Sequence, residues 1–204
     1  MKKTIVLLAM LAIVACKNNE EKNEEPGIMD AVEGINNMSK AGDALEDFEK
    51  QVEELKKLTP VSNDVLKEVL TEELGGLKRT NFNAGNASMM GLTSAEAKYT
   101  DEETGKEVEV SIMDGAGETG SSVISLTVMA LAMNVESINN TETKKTETIN
   151  GIKCLTEEDE DPDHVRSSIT FIYKERYQVA LKGTNITLDE LKSYLKKVDL
   201  SKLD

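Results

Sequence analysis

The densest cluster of chemically capable side chains in this sequence is an acidic run at residues 157–163. Closely spaced carboxylates suit Ca²⁺, because this ion takes several oxygen ligands at once. The run lacks the alternating ligands, the central glycine and the final glutamate of a helix-flanked calcium loop. We therefore expect a solvated hairpin loop, with weak and unspecific divalent-cation binding as an alternative. The carboxylates concerned are Glu157, Glu158, Asp159, Glu160, Asp161 and Asp163.

A second pattern with possible chemistry is the run G-A-G-E-T-G at residues 115–120, which has the glycine spacing of a dinucleotide-binding turn. The preceding residues 106–113 alternate polar and apolar side chains, whereas the first strand of a dinucleotide fold is buried on both faces. Asp114 and Glu118 would repel a pyrophosphate at the start of the following helix. In a phosphate-binding loop, lysine would have to replace Ser121. The run therefore predicts a strand-to-helix turn without a nucleotide.

Beyond the N-terminal segment, the candidate residues for nucleophilic catalysis are one cysteine, Cys154, and one histidine, His164. A nucleophile needs a base within hydrogen-bond reach, and nothing in the sequence brings these two residues together. Cys154 lies among alternating residues 152–155, which predict a small buried side chain on a strand. His164 follows the acidic run, where a loop would not hold a base in place. We expect no enzyme activity, no catalytic residue and no cofactor.

The methionines form a third group of candidate ligands, because thioethers can bind copper. Met113, Met129 and Met133 have apolar neighbours, so filling of an aliphatic core is the main expectation. These three side chains are also candidates for an apolar pocket, with the helix at residues 121–134 as its lid. Such a pocket would suit a carrier of a lipid or another apolar ligand.

The part of the chain that must position these side chains is predicted to begin and end with amphipathic helices. Apolar residues recur every three or four positions over residues 28–58, which predicts a long helix able to pack on its own domain or on a protein partner. A short helix follows from residue 65 and stops at Gly75 and Gly76. Residues 121–134 are apolar almost all round and predict a buried helix. A capping box at residues 187–190 starts the terminal helix.

Strands fill the remainder of the chain. Residues 87–100 and 106–113 alternate polar and apolar side chains, as in a sheet with one buried face. The turn Asn150-Gly151 joins a strand at residues 141–149 to one at 152–156. A second hairpin joins residues 168–173 to residues 177–182.

The fold class predicted from this order is α+β: an antiparallel sheet of about six to seven strands covered by helices, preceded by a long N-terminal amphipathic helix. The N-terminal helices occupy residues 28–74 and the sheet domain residues 75–204, and we expect residues 28–204 to form one folded unit. The order of strands and helices loosely resembles the Mog1/PsbP-like group of helix-covered antiparallel sheets. That resemblance implies a fold and no function.

The N-terminus has the anatomy of an export signal. Lys2 and Lys3 precede an apolar run that is too short to cross a bilayer. Its end, Ile13-Val14-Ala15-Cys16, resembles the lipobox of bacterial lipoproteins. The resemblance implies cleavage after residue 15 and a diacylated, palmitate-bearing Cys16 as membrane anchor, whereas an ordinary cleaved signal with an incidental cysteine is the alternative.

The residues after this cysteine, 17–27, are polar and charged apart from the closing proline and glycine, and predict a flexible tether. Lys17 stands where aspartate retains lipoproteins of enteric bacteria in the inner membrane, so the outer membrane is expected by analogy. The net charge of −14 argues against nucleic acid as a partner. We expect an envelope lipoprotein that acts by binding or scaffolding, facing the periplasm or the cell surface. Its partner would contact the N-terminal helix or the sheet.

Overall fold

The computed structural model describes residues 46–87 and 92–203. These residues belong to one compact unit, Ala44–Asp204. The chain in this unit has four helices and one nine-stranded antiparallel sheet among the described residues, so the α+β class is confirmed. The sheet has nine strands instead of the expected six or seven.

The helices are α1 (residues 46–57), α2 (Asn63–Val69), α3 (Gly117–Ala132) and α4 (Leu188–Leu195), followed by a short 3₁₀ turn at Leu200–Lys202. The strands are β1 (Glu73–Leu74), β2 (Leu77–Ala87), β3 (Leu92–Asp101), β4 (Lys106–Asp114), β5 (Glu136–Asn139), β6 (Glu142–Ile149), β7 (Ile152–Asp159), β8 (Arg166–Tyr173) and β9 (Tyr177–Thr184). Their order across the sheet is β1-β2-β3-β4-β9-β8-β7-β6-β5. Two meanders therefore meet where β4 pairs with β9, and α3 connects them.

The main core lies on one face of the sheet, beneath α2 and α4. Strands β3, β4, β8 and β9 alternate buried and partly exposed residues, as the sequence alternation predicted. The buried members pack with Leu66 of α2 and Leu191 of α4, which are both fully buried. These two helices cover much of this face, so the larger open area of the sheet is on the other face.

Helix α3 packs on that other face. The Thr127 hydroxyl donates a hydrogen bond to the side-chain oxygen of Gln178, and Gln178 alternates along β9 with the core residues Tyr177 and Val179. Ile124 and Leu131 are the buried large side chains of α3. The helix predicted to be buried is buried on one side only, because the sheet covers that side. Leu126, Met129 and Met133 are exposed to solvent.

The predicted hairpin turns and helix cap are present in the structure. Both predicted hairpins are confirmed, and Asn150 and Gly151 adopt φ angles of 52° and 83°. The capping box is confirmed, with the Thr187 hydroxyl and the Glu190 carboxylate each accepting a backbone N–H. Gly75 and Gly76 do not simply end a helix; they form the tight turn between β1 and β2. Residues 81–86, which include three asparagines and a glycine typical of a loop, belong to β2.

Three predicted features of the N-terminal part lie outside the described residues. They are the signal peptide with its lipobox, the tether, and residues 28–45 of the long helix. Helix α1 corresponds to the last part of that expected helix.

Candidate functional site

Helix α3 covers part of one face of the sheet, and an open groove occupies another part of the same face. It encloses about 560 Å³ and is lined by residues of β5 to β9, with none from α3. Strand pairing places Lys144, Glu157, Ser168 and Lys182 directly opposite one another on successive strands. Because side chains two residues apart share a face of a strand, the groove floor is built from such cross-strand rows.

The neighbouring row of the groove runs through Glu142, Asp159, Arg166 and Thr184, again in direct cross-strand register. The groove lining contains three cationic side chains and four carboxylates, and one of these carboxylates, Glu158, bonds to the start of α4 on the opposite face. The six remaining charges, which belong to the two rows, balance. The chain as a whole has a net charge of −14. The groove is a locally neutral but strongly polar surface on an acidic protein.

Ion pairs order part of this charge pattern. The Lys144 Nζ lies 2.5 Å from a Glu157 carboxylate oxygen, and the Lys182 Nζ lies 2.9 Å from Glu109 on β4. These side chains are partly exposed, so each pair contributes little stability and its members can exchange partners. The mixed charge can therefore serve recognition at small cost to the fold.

Arg166 pairs with β7 and β9 through its backbone, and it is the groove cation whose side chain forms neither a hydrogen bond nor an ion pair with the described residues. The pKa of Asp159, its cross-strand neighbour, is lowered by hydrogen bonds from the Thr141 side chain and the Asp161 backbone N–H, and further by the positive charge of Arg166. A guanidinium with free donors and an ionised carboxylate thus stand side by side. A ligand with both signs of charge could pair with both.

The predicted cation-binding run is divided between the two faces of the sheet. Glu157 and Asp159 belong to the groove face, whereas the Glu158 carboxylate accepts the backbone N–H of Leu188 at the start of α4. Adjacent residues of a strand point to opposite faces, so these carboxylates do not converge. Among the described residues, no group of three or more acidic, histidine or cysteine side chains is arranged to hold a metal ion. Cation binding by the run stays a prediction.

A second cavity, of about 410 Å³, lies on the core face between α4 and strands β6 and β7. Its polar groups are paired with one another. Lys192 of α4 lies 3.2 Å from the Glu147 carboxylate, and the buried Thr156 hydroxyl donates to the Lys145 carbonyl oxygen at 3.1 Å. These contacts help to position α4 on the sheet.

Cys154 is a fully buried residue of β7, as its alternating neighbours predicted. Burial raises the pKa of the thiol to about 11. The thiol is therefore protonated at neutral pH, whereas a nucleophilic cysteine has to be a thiolate. His164 lies in the turn between β7 and β8, where its backbone N–H donates to the Asp161 carbonyl oxygen.

The three methionines proposed for an apolar pocket differ in how far their side chains are exposed. Met113 is half-buried on β4, whereas Met129 and Met133 have exposed fractions of 58% and 75%. None of the three lines either cavity described above. An apolar-ligand site at these residues stays a prediction without a cavity to support it.

The glycine run has a packing role. A Cβ atom on Gly115 would lie 2.4 Å from a side-chain carbon of Ile124, and one on Gly120 would lie 2.7 Å from the Asp114 carbonyl oxygen. The Asp114 carboxylate accepts the Ala116 backbone N–H at 3.0 Å. These glycines allow α3 to approach the end of β4 closely, as the third glycine of a dinucleotide turn also does.

Sequence reasoning did not identify the groove, although one signal was present. The two-residue turn Asn150-Gly151 fixes the register of β6 and β7, and this register places Lys144 opposite Glu157. The rest of each row depends on pairing across β8 and β9, which the polar residues themselves do not reveal.

Among the described residues no helix is long and apolar enough to cross a membrane. Comparison with protein-family models, curated proteins and solved structures found no match to this chain. Its functional interpretation therefore relies on its own residues.

Proposed function

We propose that this chain is an envelope lipoprotein that acts as a non-catalytic binding module, with the groove on the uncovered half of the sheet as its contact surface. Diacylated Cys16 is the membrane anchor, and residues 17–27 are the tether that holds the domain away from the bilayer. By the analogy at Lys17, the outer membrane is its location. The lipobox-like residues 13–16 support the anchor, since two acyl chains give stable attachment.

The observation that carries the binding role is the charge pattern of the groove. Two cross-strand rows present Lys144, Arg166 and Lys182 beside Glu157 and Asp159, and none of the helices in residues 46–87 and 92–203 covers them. Mixed charge in a concave polar surface favours an extended ligand that carries both signs, such as a peptide segment, because electrostatic complementarity selects such partners. A purely anionic ligand would be repelled by the rest of this acidic chain.

A peptide-binding experiment tests this role. The full chain in detergent is titrated into a fluorescent decapeptide of alternating lysine and glutamate, and anisotropy is recorded at low salt. All-glutamate and all-lysine decapeptides serve as comparison ligands. We expect saturable binding of the alternating peptide, weakened about tenfold by Lys144→Glu with Lys182→Glu, since charge reversal replaces attraction by repulsion.

The matched control reverses two exposed lysines outside the groove, Lys50 and Lys67, on α1 and α2. This control changes the net charge equally and should leave the affinity within about twofold, because exposed charges at a distance are screened. Equal losses in both double variants, or no preference for the alternating peptide, would refute the groove as a contact surface.

Metabolic labelling with palmitate tests the anchor separately. Cys16→Ser should abolish labelling, and Cys154→Ser should retain it, because the Cys154 thiol is buried in the folded domain. Label that survives in the Cys16→Ser protein would exclude the lipobox interpretation.

A further inference from the structure

Strand β5 forms one edge of the sheet and is paired on one side only, with β6. The Thr146 backbone N–H donates to the Val135 carbonyl oxygen at 2.7 Å, and the Val135 backbone N–H donates to the Thr146 hydroxyl oxygen at 3.0 Å. The first of these bonds places the two residues at a hydrogen-bonded position of the β5–β6 ladder. Hydrogen-bonded pairs alternate along an antiparallel ladder, so Ser137 and Asn139 also direct their backbone groups towards β6. The N–H and C=O of Ile138 therefore point outward, away from the sheet.

β5 has no lysine, proline or bulge, which are three of the features that usually prevent strand-to-strand association. It reads E-S-I-N, is short like many protected edges, and exposes Ile138 to an extent of 73%. The opposite edge has a two-residue strand, β1, and a register shift in β2 between Arg79 and Asn81. Among the described residues, β5 is thus a regular edge strand with unpaired backbone groups on one side.

Charge also favours this edge for contact between identical chains. Residues 135–141, which form this edge and its turn, contain one charged side chain, that of Glu136. The edge itself is therefore nearly neutral, whereas the whole chain has a net charge of −14. Two copies of an acidic protein approach most readily where their charge is lowest.

We propose that a second copy of this chain pairs with β5 in antiparallel orientation, with Ile138 on the two-fold axis. Ile138 then lies opposite Ile138 of the second copy, Ser137 opposite Asn139, and Glu136 opposite Asn140. This register contains no like-charge pair and is the same from either chain, as an isologous interface requires. The outward N–H and C=O groups of the two Ile138 residues satisfy one another, and the two sheets become continuous.

The interface is short, so the dimer is weak in dilute solution and its strength depends on concentration. The inference does not depend on the groove, which lies on a face of the sheet, whereas pairing uses the edge.

Sedimentation equilibrium of the full chain in density-matched detergent, at several protein-to-micelle ratios, tests this pairing. We expect a monomer–dimer equilibrium. Ile138→Lys alone and Ile138→Glu alone should each weaken dimerisation about tenfold, because like charges then face each other across the axis. An equimolar mixture of the two variants should restore dimers, since lysine then faces glutamate. The exposed side chain makes both substitutions compatible with the fold, which circular dichroism verifies.

Leu126→Lys and Leu126→Glu form the control pair, because Leu126 is similarly exposed but lies on α3. These variants should dimerise like the unaltered chain, and mixing them should change nothing. The proposal would be overturned by a monomer at the highest protein-to-micelle ratio or by an open-ended series of larger species. Unchanged dimerisation of both Ile138 variants would also overturn it.

Hydrogen exchange provides a second measurement. The Ile138 amide should be protected in the dimer. In the Ile138→Lys protein, the backbone amide at position 138 should exchange freely. The Ser137 amide, which is bonded to β6, should be protected in both. Free exchange at Ile138 in the dimer would place the contact elsewhere.

Discussion

Arg176 and Asp114 form a two-point ion pair that fastens the β8–β9 turn to the end of β4. The Arg176 Nε and Nη2 atoms donate to the two carboxylate oxygens of Asp114 at 2.7 and 2.8 Å. The Asp114 carboxylate also accepts the backbone N–H groups of Val61 and Ala116, and its side chain is completely buried. The pair therefore joins the segment between α1 and α2, the start of α3 and the second meander at one point.

Arg176→Ala should lower the free energy of unfolding by about 3–5 kcal/mol, because it leaves a buried carboxylate without its counter-charge. Urea unfolding followed by circular dichroism measures the loss. Lys182→Ala is the matched control, since the Lys182 side chain is mostly exposed in its pair with Glu109, and it should cost less than about 1 kcal/mol. Similar losses in the two variants would show that burial of Asp114 does not govern this contact.

Gly115→Ala should destabilise the fold by about 1–3 kcal/mol, because the added methyl group would overlap Ile124 and the Arg176 carbonyl oxygen. Gly85→Ala is the control: its Cβ would meet nothing within 4 Å, and the change should stay within about 0.5 kcal/mol. Thermal unfolding compares them. A tolerated Gly115→Ala would contradict the packing role of the glycine run.

The elements that could be predicted from the sequence are those whose signals are local. The Asn150-Gly151 turn and the Thr187–Glu190 capping box specify their geometry within a few residues, and both are present. The alternation over residues 106–113 likewise corresponds to β4, since one face of that strand is buried in the core.

The elements that were missed obtain their structure from distant partners. β2 contains the turn-forming residues Asn81, Asn83 and Gly85, and it is a strand because β3 pairs along it. β5 is exposed on both faces and has no hydrophobic alternation to reveal it. Local propensity is a weak guide where cross-strand pairing decides.

The groove was not foreseen for the same reason. Its rows require the register of β6 to β9 together, and β9 also pairs with β4, which lies far away in the chain. For α3, the apolar sequence shows that burial is favourable but not how much of the helix the sheet can cover. Leu126, Met129 and Met133 are exposed because α3 rests on a single layer.

Cys154 should resist alkylation until the domain unfolds. With its pKa raised to about 11 from 9.0 by burial, the folded thiol has a thiolate fraction at pH 8 about 100-fold below that of the unfolded chain. Iodoacetamide labelling of a Cys16→Ser protein, with and without urea, measures this ratio. Rapid labelling of the folded protein would contradict the burial.

The same shift predicts an alkaline loss of stability. The unfolded chain releases the Cys154 proton near pH 9, whereas the folded chain retains it until about pH 11. Stability from this residue is therefore complete below pH 9 and falls as the pH rises through the folded pKa. Cys154→Ala should lack this component, so the difference in unfolding midpoint between the two proteins should change between pH 8 and pH 11.

The ion pair between Lys106 and Glu190 predicts an acid-side dependence. A hydrogen bond from Lys106 lowers the pKa of Glu190 below its usual 4.5, against the opposing effect of burial. The unfolded chain thus binds a proton at higher pH than the folded chain. Stability from this carboxylate is present above about pH 4.5 and is lost as the pH falls through the folded pKa.

Glu190→Gln isolates this contribution, because glutamine can keep the capping hydrogen bond to the Thr187 backbone N–H while losing the charge. We expect a slightly lower urea midpoint at pH 7, since the pair is partly exposed, and no difference from the unaltered chain at pH 2. The variant and the unaltered chain should be compared at several pH values between these limits. A difference that persists unchanged at pH 2 would show that the carboxylate stabilises α4 through its cap and not through its charge.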